Sequence, residues 1–357
     1  MKFLETAFLK KSKPKIRLPV LQLPRVVLLE CIENLDVLEI IIFSLLSKRV
    51  KSIAELIRWN LLEIRLLYDV GGPIDICLNL STHPGLTWII TFTNKKKLKE
   101  YPYFKSFLTG PKVDHCLYLQ DNGNAIEDSK QMAEHICEVF RSPIHYIQIA
   151  EESQIEWIVK FQPTIRYFCI CKDGTIPIET FNRAFKNLKV TEHFWLGTIA
   201  KNEEIRSMKP IPSPSISMRN SCWFTLPSIL KGNYSNIILD GSKLTSKDIN
   251  AILKEWQLGS KLRNLEYLKI ETITLLDIVS YIHEIFKDLD WTDDEIDGRP
   301  LTIKIHDEYI YTLPQVQNVF NIMRRDGMIL SIFLHYDILE GEKMKILLHL
   351  QVWGQQT

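Results

Sequence analysis

Residues 235–270 are SNIILDGSKLTSKDINAILKEWQLGSKLRNLEYLKI, and this stretch decides the fold class. Its apolar and β-branched residues predict a strand over 236–240 and another over 265–270. Between them, apolar residues at helical spacing predict a helix over 246–257. A strand, a helix and a strand in so short a stretch are typical of a crossover unit, so we predict an α/β fold.

The same alternation extends on both sides of this stretch, because strand-like and helix-like segments follow one another from about residue 126 onward. We predict further helices over 126–140, 153–160, 178–187, 276–287 and 313–325, and further strands over 145–149, 166–171, 193–197, 301–305, 329–335 and 344–353. An open α/β layer and an irregular leucine-rich-like solenoid both fit this order. We favour the solenoid, since the strands are short and no glycine fingerprint marks a nucleotide-binding crevice.

The N-terminal part has a different, helical pattern, centred on LPRVVLLECIENLDVLEIIIFSLLSKR at 23–49. Pro24 fits the first turn of one helix. Asp36 with Glu39 three residues later forms a capping-box pattern for a second helix, and Ser47 fits the cap of a third. Three short helices cannot bury this much apolar surface among themselves, so the rest of the chain or a partner must cover it.

Composition excludes several classes of protein. The chain has 357 residues, a hydrophobic fraction of 46%, and 44 Lys and Arg against 43 Asp and Glu, for a formal net charge of +1. A packed core is therefore available, and the basic excess typical of nucleic-acid wrapping proteins is missing. The longest apolar run is too short to cross a membrane, and seven cysteines spread along the chain do not suggest a disulfide framework. We expect a soluble protein of the cytoplasm, the nucleus or both.

Two stretches together resemble one family. Residues 23–49 resemble an F-box, with a Leu-Pro start, an Asp-capped second helix and a Ser-Leu-Leu-Ser-Lys-Arg close. Residues 235–270 are similar to the second type of F-box-associated domain of nematode F-box proteins, with Asn250, Leu253, Trp256 and Gly259 ahead of a Leu-Glu-x-Leu strand. Two positions depart from the pattern: Val26 replaces a Glu that many F-boxes carry, and Ile252 replaces a common Phe.

Residues 1–17 are rich in lysine and form a basic leader. The resemblance implies a three-helix F-box at 18–66 and an α/β F-box-associated domain at 67–357, with 235–270 its most specific motif. It also implies the substrate-recognition subunit of an SCF-type cullin–RING ubiquitin ligase. The F-box would dock on a Skp-type adaptor, and through it on a cullin, and so supply the missing apolar cover. The residues that we expect to face the adaptor are Leu23, Pro24, Val27, Leu46 and Val50.

The strands of the associated domain suggest where a protein target binds. In a solenoid, the outward side chains of the strands line one continuous concave surface. If they lie on it, large aromatic side chains are good anchors for a partner, although a register shift of one residue would bury them instead. The candidates are Tyr146, Gln148, Tyr167, His193, Trp195, Tyr267 and Lys269.

The sequence gives only weak signs of metal binding or of nucleic-acid binding. Cys169 and Cys171 lie two residues apart, but no second pair completes a zinc site. The acidic run at 288–297 resembles a calcium loop only in part, because Lys304 stands where a bidentate Glu is needed. Lysines at 95–99 near aromatic residues could suit nucleic acid, but the balanced net charge argues against it. We expect no metal, no cofactor and no nucleic-acid or membrane partner.

Two other functions remain open. The chain could be a leucine-rich-like interaction scaffold whose degenerate F-box engages no adaptor. It could also be a hydrolase within the α/β region, although the sequence lacks a nucleophile elbow, a P-loop and an HExxH motif. We favour the non-enzymatic ligase receptor over both.

The cysteine pattern gives a direct prediction about the purified protein. Cys169 and Cys171 have no second pair of ligands at zinc-site spacing, so we expect no bound metal. The seven cysteines are scattered along the chain, so we also expect no disulfide. Elemental analysis and intact mass under non-reducing conditions check this. Stoichiometric zinc, or a mass lower by pairs of hydrogens, would contradict the prediction.

Overall fold

In a computed structural model of the chain, the described residues are 22–57, 62–68, 72–93, 103–121, 123–170, 178–197, 210–293, 299–306, 309–316, 318–341 and 343–354. The chain divides into two compact units, Met1–Ala150 and Glu151–Thr357. The basic leader, the lysines at 95–99, Cys171 and the end of the acidic run lie outside the described residues.

Three short helices begin the described part of the first unit: α1 (Arg25–Glu33), α2 (Val37–Leu45) and α3 (Lys48–Ala54). The Asp36 carboxylate accepts from Leu38 N–H at 2.9 Å, and Glu39 accepts from Asp36 N–H at 2.9 Å, which completes the predicted capping box. Ser47 Oγ accepts from Val50 N–H at 3.3 Å at the start of α3. The prediction of N-terminal helices at these positions is confirmed.

A mixed sheet and one long helix make up the rest of the first unit. Its elements are β1 (Leu62–Tyr68), β2 (Ile74–Leu80), β3 (Leu86–Thr93), β4 (Tyr103–Thr109), β5 (Lys112–Gln120), α4 (Ala125–Phe140) and β6 (Ile144–Ile149). The strands lie in the order β6-β1-β2-β3-β5-β4. The β6–β1 and β3–β5 pairs are parallel, and the other neighbours in this part of the sheet are antiparallel.

Helix α4 packs against both parts of the first unit. It contacts β1, β2 and β3, and it also contacts α2 and α3. Its side chains Ala133, Ile136 and Val139 are fully buried and lie at helical spacing. Helix α4 therefore packs against both the three-helix module and the sheet.

The second unit is built on a second run of strands. Its elements are α5 (Glu152–Phe161), β7 (Thr164–Ile170), α6 (Ile178–Asn187), β8 (Lys189–Leu196), β9 (Ser215–Met218), α7 (Leu226–Lys231), β10 (Asn236–Ser242), α8 (Ser246–Leu258), β11 (Tyr267–Thr274), α9 (Ile278–Ile285), β12 (Thr302–His306), β13 (Tyr309–Thr312), β14 (Phe320–Met323), β15 (Met328–Ile338) and β16 (Met344–Gly354).

Strands β7 to β11 are parallel and lie side by side in chain order. Beyond β11, the order continues β16-β15-β14, and each of these pairings is antiparallel. The α/β prediction is confirmed by this arrangement. The leucine-rich-like description is not confirmed, because an open α/β layer also gives consecutive parallel strands.

Helix α8 shows why 235–270 forms a crossover unit. Thr245 and Asp248 form a capping box at its start. Gly259 ends it with φ +69°, a left-handed conformation that glycine adopts without a steric penalty. Trp256 is fully buried beneath the guanidinium of Arg324, whose central carbon lies 4.9 Å from the ring centroid. The indole is therefore part of the core.

The β12–β13 hairpin covers the opposite face of this sheet. Ile303, Ile305 and Leu313 form one apolar cluster with Tyr267 of β11 and Phe333 of β15. Parallel strands are normally covered on both faces, which explains why so short a hairpin packs here. The helices cover one face, and the hairpin covers part of the other.

One predicted helix is a strand in the structure. The described residues of 313–325 form no helix, and those from 320 to 323 form the strand β14 instead. In β14 all three of Phe320, Asn321 and Ile322 are buried, and Asn321 Oδ1 accepts from Ser331 Oγ at 2.7 Å. Pairing with β15 therefore outweighs the helix-like spacing. The sequence pattern also did not predict β4, β5, β9, β13 and α7.

Two buried histidines in the second unit make its stability depend on pH. His193 Nδ1 lies 2.7 Å from Ser215 Oγ, and His349 Nδ1 lies 2.8 Å from the Tyr267 hydroxyl. Burial is the main cause that lowers the pKa of each imidazole from 6.5 to about 3. Both side chains are therefore neutral at pH 7.

The free energy of unfolding should fall as the pH falls below 6.5, because the unfolded chain then binds protons that the folded unit excludes. Each of the two histidines contributes about 1.4 kcal/mol per pH unit, or about 2 kcal/mol between pH 6.5 and 5.0. Urea unfolding at a series of pH values measures this slope. His349→Gln should make this slope shallower by about 1.4 kcal/mol per pH unit, the contribution of one proton. An unchanged slope in His349→Gln would contradict this account.

Candidate functional site

The candidate site is an exposed apolar surface on the three-helix module, which we call the F-box surface. Its members are large apolar side chains on or beside α1, α2 and α3 that the first unit leaves outside its core. Val26 is 77% exposed, Val27 43%, Leu46 55% and Leu56 49%. Pro24 is also exposed and Leu23 is half-buried.

Helical spacing separates this surface from the core of the module. In α1, Leu28 and Ile32 lie one turn apart and are 4% and 1% exposed. In α2, Leu38 and Ile41 are buried. The side chains of the F-box surface therefore lie on the remaining helix faces and at the helix ends, where a partner can reach them.

Four of the five predicted adaptor-facing residues retain accessible surface, and one does not. Val50 is 1% exposed, so the expectation that it faces outward is wrong. The Ser47 cap places Val50 in the first turn of α3, one turn before the buried Ala54, and this face of α3 points into the core. Val26 and Leu56 were not among the predicted adaptor-facing residues. Their exposure depends on how the helices pack, which the sequence pattern does not show.

Polar contacts fix the module on the rest of the first unit. Trp88 Nε1 of β3 donates to the Asp36 carboxylate at 2.6 Å, so the cap of α2 is also bonded to the sheet. Lys51 of α3 forms an ion pair with Glu138 of α4. These contacts bond α2 to the sheet and α3 to α4, so the first unit positions the part of the F-box surface that lies at the ends of these two helices.

A buried histidine joins α2 to α4. Ser44 Oγ donates to Ile41 O at 2.7 Å and lies 2.6 Å from His135 Nε2. Since the hydroxyl has one proton, the imidazole Nε2–H donates to Ser44. Burial, and then the nearby Lys51 charge, lower the pKa of His135 to about 4. Helix α4 therefore buries part of the apolar surface of the three-helix module, which was expected to be buried by the adaptor.

The predicted target-binding residues do not form one exposed aromatic surface. Tyr167, His193 and Tyr267 are 3%, 8% and 0% exposed. The rings of Tyr167 and His193 lie 5.0 and 4.9 Å from that of His306, and Tyr267 lies 5.8 Å from Tyr311. The β12–β13 hairpin therefore covers these side chains, and for these three residues the buried alternative is the correct one.

The other four predicted target-binding residues are half-buried and already engaged within their own unit. In the first unit, Gln148 donates to Tyr68 O at 2.7 Å, and Tyr146 lies under the Arg65 guanidinium. In the second unit, Lys269 pairs with Asp240 at 3.5 Å, and Trp195 lies under Arg219. Their role in target binding stays a prediction.

The described residues give little support to catalytic or metal chemistry. Among them, no group of three or more His, Cys, Asp or Glu side chains is placed to hold a metal ion. Burial raises the pKa of the Cys77 and Cys137 thiols to about 12, the opposite of the shift that activates a nucleophilic cysteine. Asp288, at the start of the acidic run, pairs with Lys254 at 3.3 Å. No described helix is long and apolar enough to cross a membrane.

Comparison with known families matches two parts of the chain. A model of the F-box domain matches residues 20–60, which include α1, α2 and α3. A model described as F-box associated matches residues 207–270, which include β9, β10, α8 and the first strand residues of β11. The curated proteins and the solved structures contain no match to the chain.

The F-box surface thus lies within the region that the first model matches, and the α8 crossover unit lies within the region that the second model matches. The chain carries an F-box domain followed by an F-box-associated domain, the arrangement typical of nematode-type F-box proteins.

Proposed function

We propose that this chain is the substrate-recognition subunit of an SCF-type cullin–RING ubiquitin ligase. The F-box surface docks on a Skp-type adaptor and, through the adaptor, on a cullin. The F-box-associated part of the chain binds a protein target. The observation that carries the proposal is the position of the exposed apolar residues, which lie on the matched F-box helices.

Apolar side chains in such numbers on short helices favour a partner that buries them. Val26, Val27 and Leu46 have from 43% to 77% of their surface in contact with solvent. A partner that covers these side chains gains binding free energy from the apolar surface that it buries. The fixed position of α2 on the sheet lowers the ordering cost of association, because the surface exists before the adaptor binds.

In this proposal the chain has no catalytic residue of its own and acts by proximity. By holding a target near a ubiquitin-charged enzyme, it raises the effective concentration of the target's lysines there. The raised pKa of the half-buried Cys77 and Cys137 thiols is consistent with a non-enzymatic role. We place its action in the cytoplasm, the nucleus or both, where ligases of this type act.

The second candidate is an interaction scaffold with a degenerate F-box and a leucine-rich-like repeat domain. Two observations favour it. Val26 replaces the Glu that many F-boxes carry, and it is the most exposed of the apolar residues on α1. Val50, expected at the adaptor, is buried in the first unit instead. Direct adaptor binding distinguishes the two candidates.

Leu46→Asp should abolish binding of the purified chain to a purified Skp-type adaptor. The substitution places a carboxylate in an apolar interface, where it has no partner. A milder double variant, Val27→Ala with Leu46→Ala, removes two half-exposed side chains. It should cost about 2 kcal/mol of binding free energy, or about thirtyfold in Kd. Isothermal titration calorimetry measures both effects.

Leu258→Asp is the matched control, because Leu258 is 69% exposed on α8 in the second unit. It introduces the same charge outside the F-box surface and should leave adaptor affinity unchanged. Wild-type protein that does not bind the adaptor at micromolar concentration would favour the scaffold. Equal binding by wild type and Leu46→Asp would also contradict the proposed docking surface.

A further inference from the structure

Strand β15 is longer than its neighbour β14, and this difference leaves part of its edge open. On one side β15 pairs with β16 along its whole length, from Met328 to Ile338. On the other side β14 pairs only with residues 329–332 of β15. Among the described residues, no strand pairs with residues 333–338 on that second side.

The hydrogen bonds at the two ends of β15 show which backbone groups face this open side. Met328 O accepts from Arg324 N–H at 2.9 Å, so Met328 faces β14. Leu339 N–H donates to Lys343 O at 2.8 Å, so Leu339 faces the β16 side. Because orientation alternates along a regular strand, Leu334, Tyr336 and Ile338 direct their N–H and C=O groups away from β16.

The side chains along this edge have a distinct pattern. Tyr336 is 48% exposed and Ile338 is 80% exposed, and both lie on the same face of the sheet. Asp337 lies on the other face and is exposed, as is Glu340 in the turn that follows. Lys345 stands opposite Asp337 on β16, but its Nζ is 3.0 Å from Glu271.

We propose that this edge, which we call the β15 edge (Leu334, Tyr336 and Ile338), binds an extended segment of the protein target as an added strand. This inference rests on the proposed function, since it names the site and the chemistry of the target. Open edges with apolar side chains are sites where a further strand adds through main-chain hydrogen bonds. The three residues offer three donors and three acceptors for this purpose.

Charge and side-chain pattern define the segment that fits. A strand added beside β15 places its alternate side chains next to Tyr336 and Ile338, where apolar residues fit, and next to Asp337, where Lys or Arg fits. The preferred segment therefore alternates apolar and basic residues. A second copy of this chain fits less well, because it would bring the same carboxylates, Asp337 and Glu340, to the edge.

The test uses fluorescent peptides with the core Val-Lys-Val-Lys-Val or Val-Glu-Val-Glu-Val and the purified full chain. Fluorescence anisotropy should show saturable binding of the lysine peptide, about fivefold or more tighter than the glutamate peptide. Asp337→Lys should reverse this preference. No saturable binding of either peptide, or an unchanged preference in Asp337→Lys, would overturn the proposal.

The backbone contribution is tested with Tyr336→Pro and its matched control Tyr336→Ala. Proline removes the outward N–H at a position where an edge strand tolerates it, and should weaken binding about tenfold or more. Alanine keeps the N–H and should change the affinity by about threefold at most. Equal effects of the two variants would exclude strand addition. If the proline variant fails to fold, the charge reversal in Asp337→Lys still decides the question.

Two parallel measurements separate the other outcomes. Sedimentation velocity of the wild type shows whether the edge pairs with a second copy. A dimer that Tyr336→Pro abolishes, without peptide binding, would overturn the assignment to a target. Adaptor binding should be equal in wild type and Asp337→Lys. Peptide binding without adaptor binding would contradict the ligase role and leave the β15 edge assignment intact.

Discussion

The need to cover both faces of a parallel sheet governs the second unit. Strands β7 to β11 have buried side chains on both faces, among them Phe194 and Tyr267. The helices cover one face, and the chain returns after α9 as the β12–β13 hairpin to cover the other. This second layer buries the histidine and tyrosine rings that a solenoid would leave on a concave binding surface.

The antiparallel end of the same sheet follows a different rule. Antiparallel strands tolerate solvent on one face, and β15 extends past the last residue that β14 covers. Exposed apolar side chains remain there because no second layer of the described residues covers them, and the same is true of the F-box surface in the first unit. In both places apolar side chains are exposed beside well-packed cores, so each is a surface on which a partner can gain binding free energy.

Local chemistry was enough to predict much of the fold. The Asp36 cap and the apolar spacing around Trp256 each determine structure through near neighbours in sequence. Long-range packing decided the rest. Val50 follows helical spacing whether it faces the core or a partner, and only the packing of the folded unit determines that it is buried. Tyr267 lies on a strand in either architecture, and only the distant hairpin determines that it is covered.

The most direct test of the account is hydrogen exchange of the full chain with and without a purified Skp-type adaptor. The account predicts slower amide exchange within residues 22–57, where the F-box surface lies, and unchanged exchange in β15 and its turn. Slower exchange confined to the second unit, or no change within 22–57 at saturating adaptor, would contradict it.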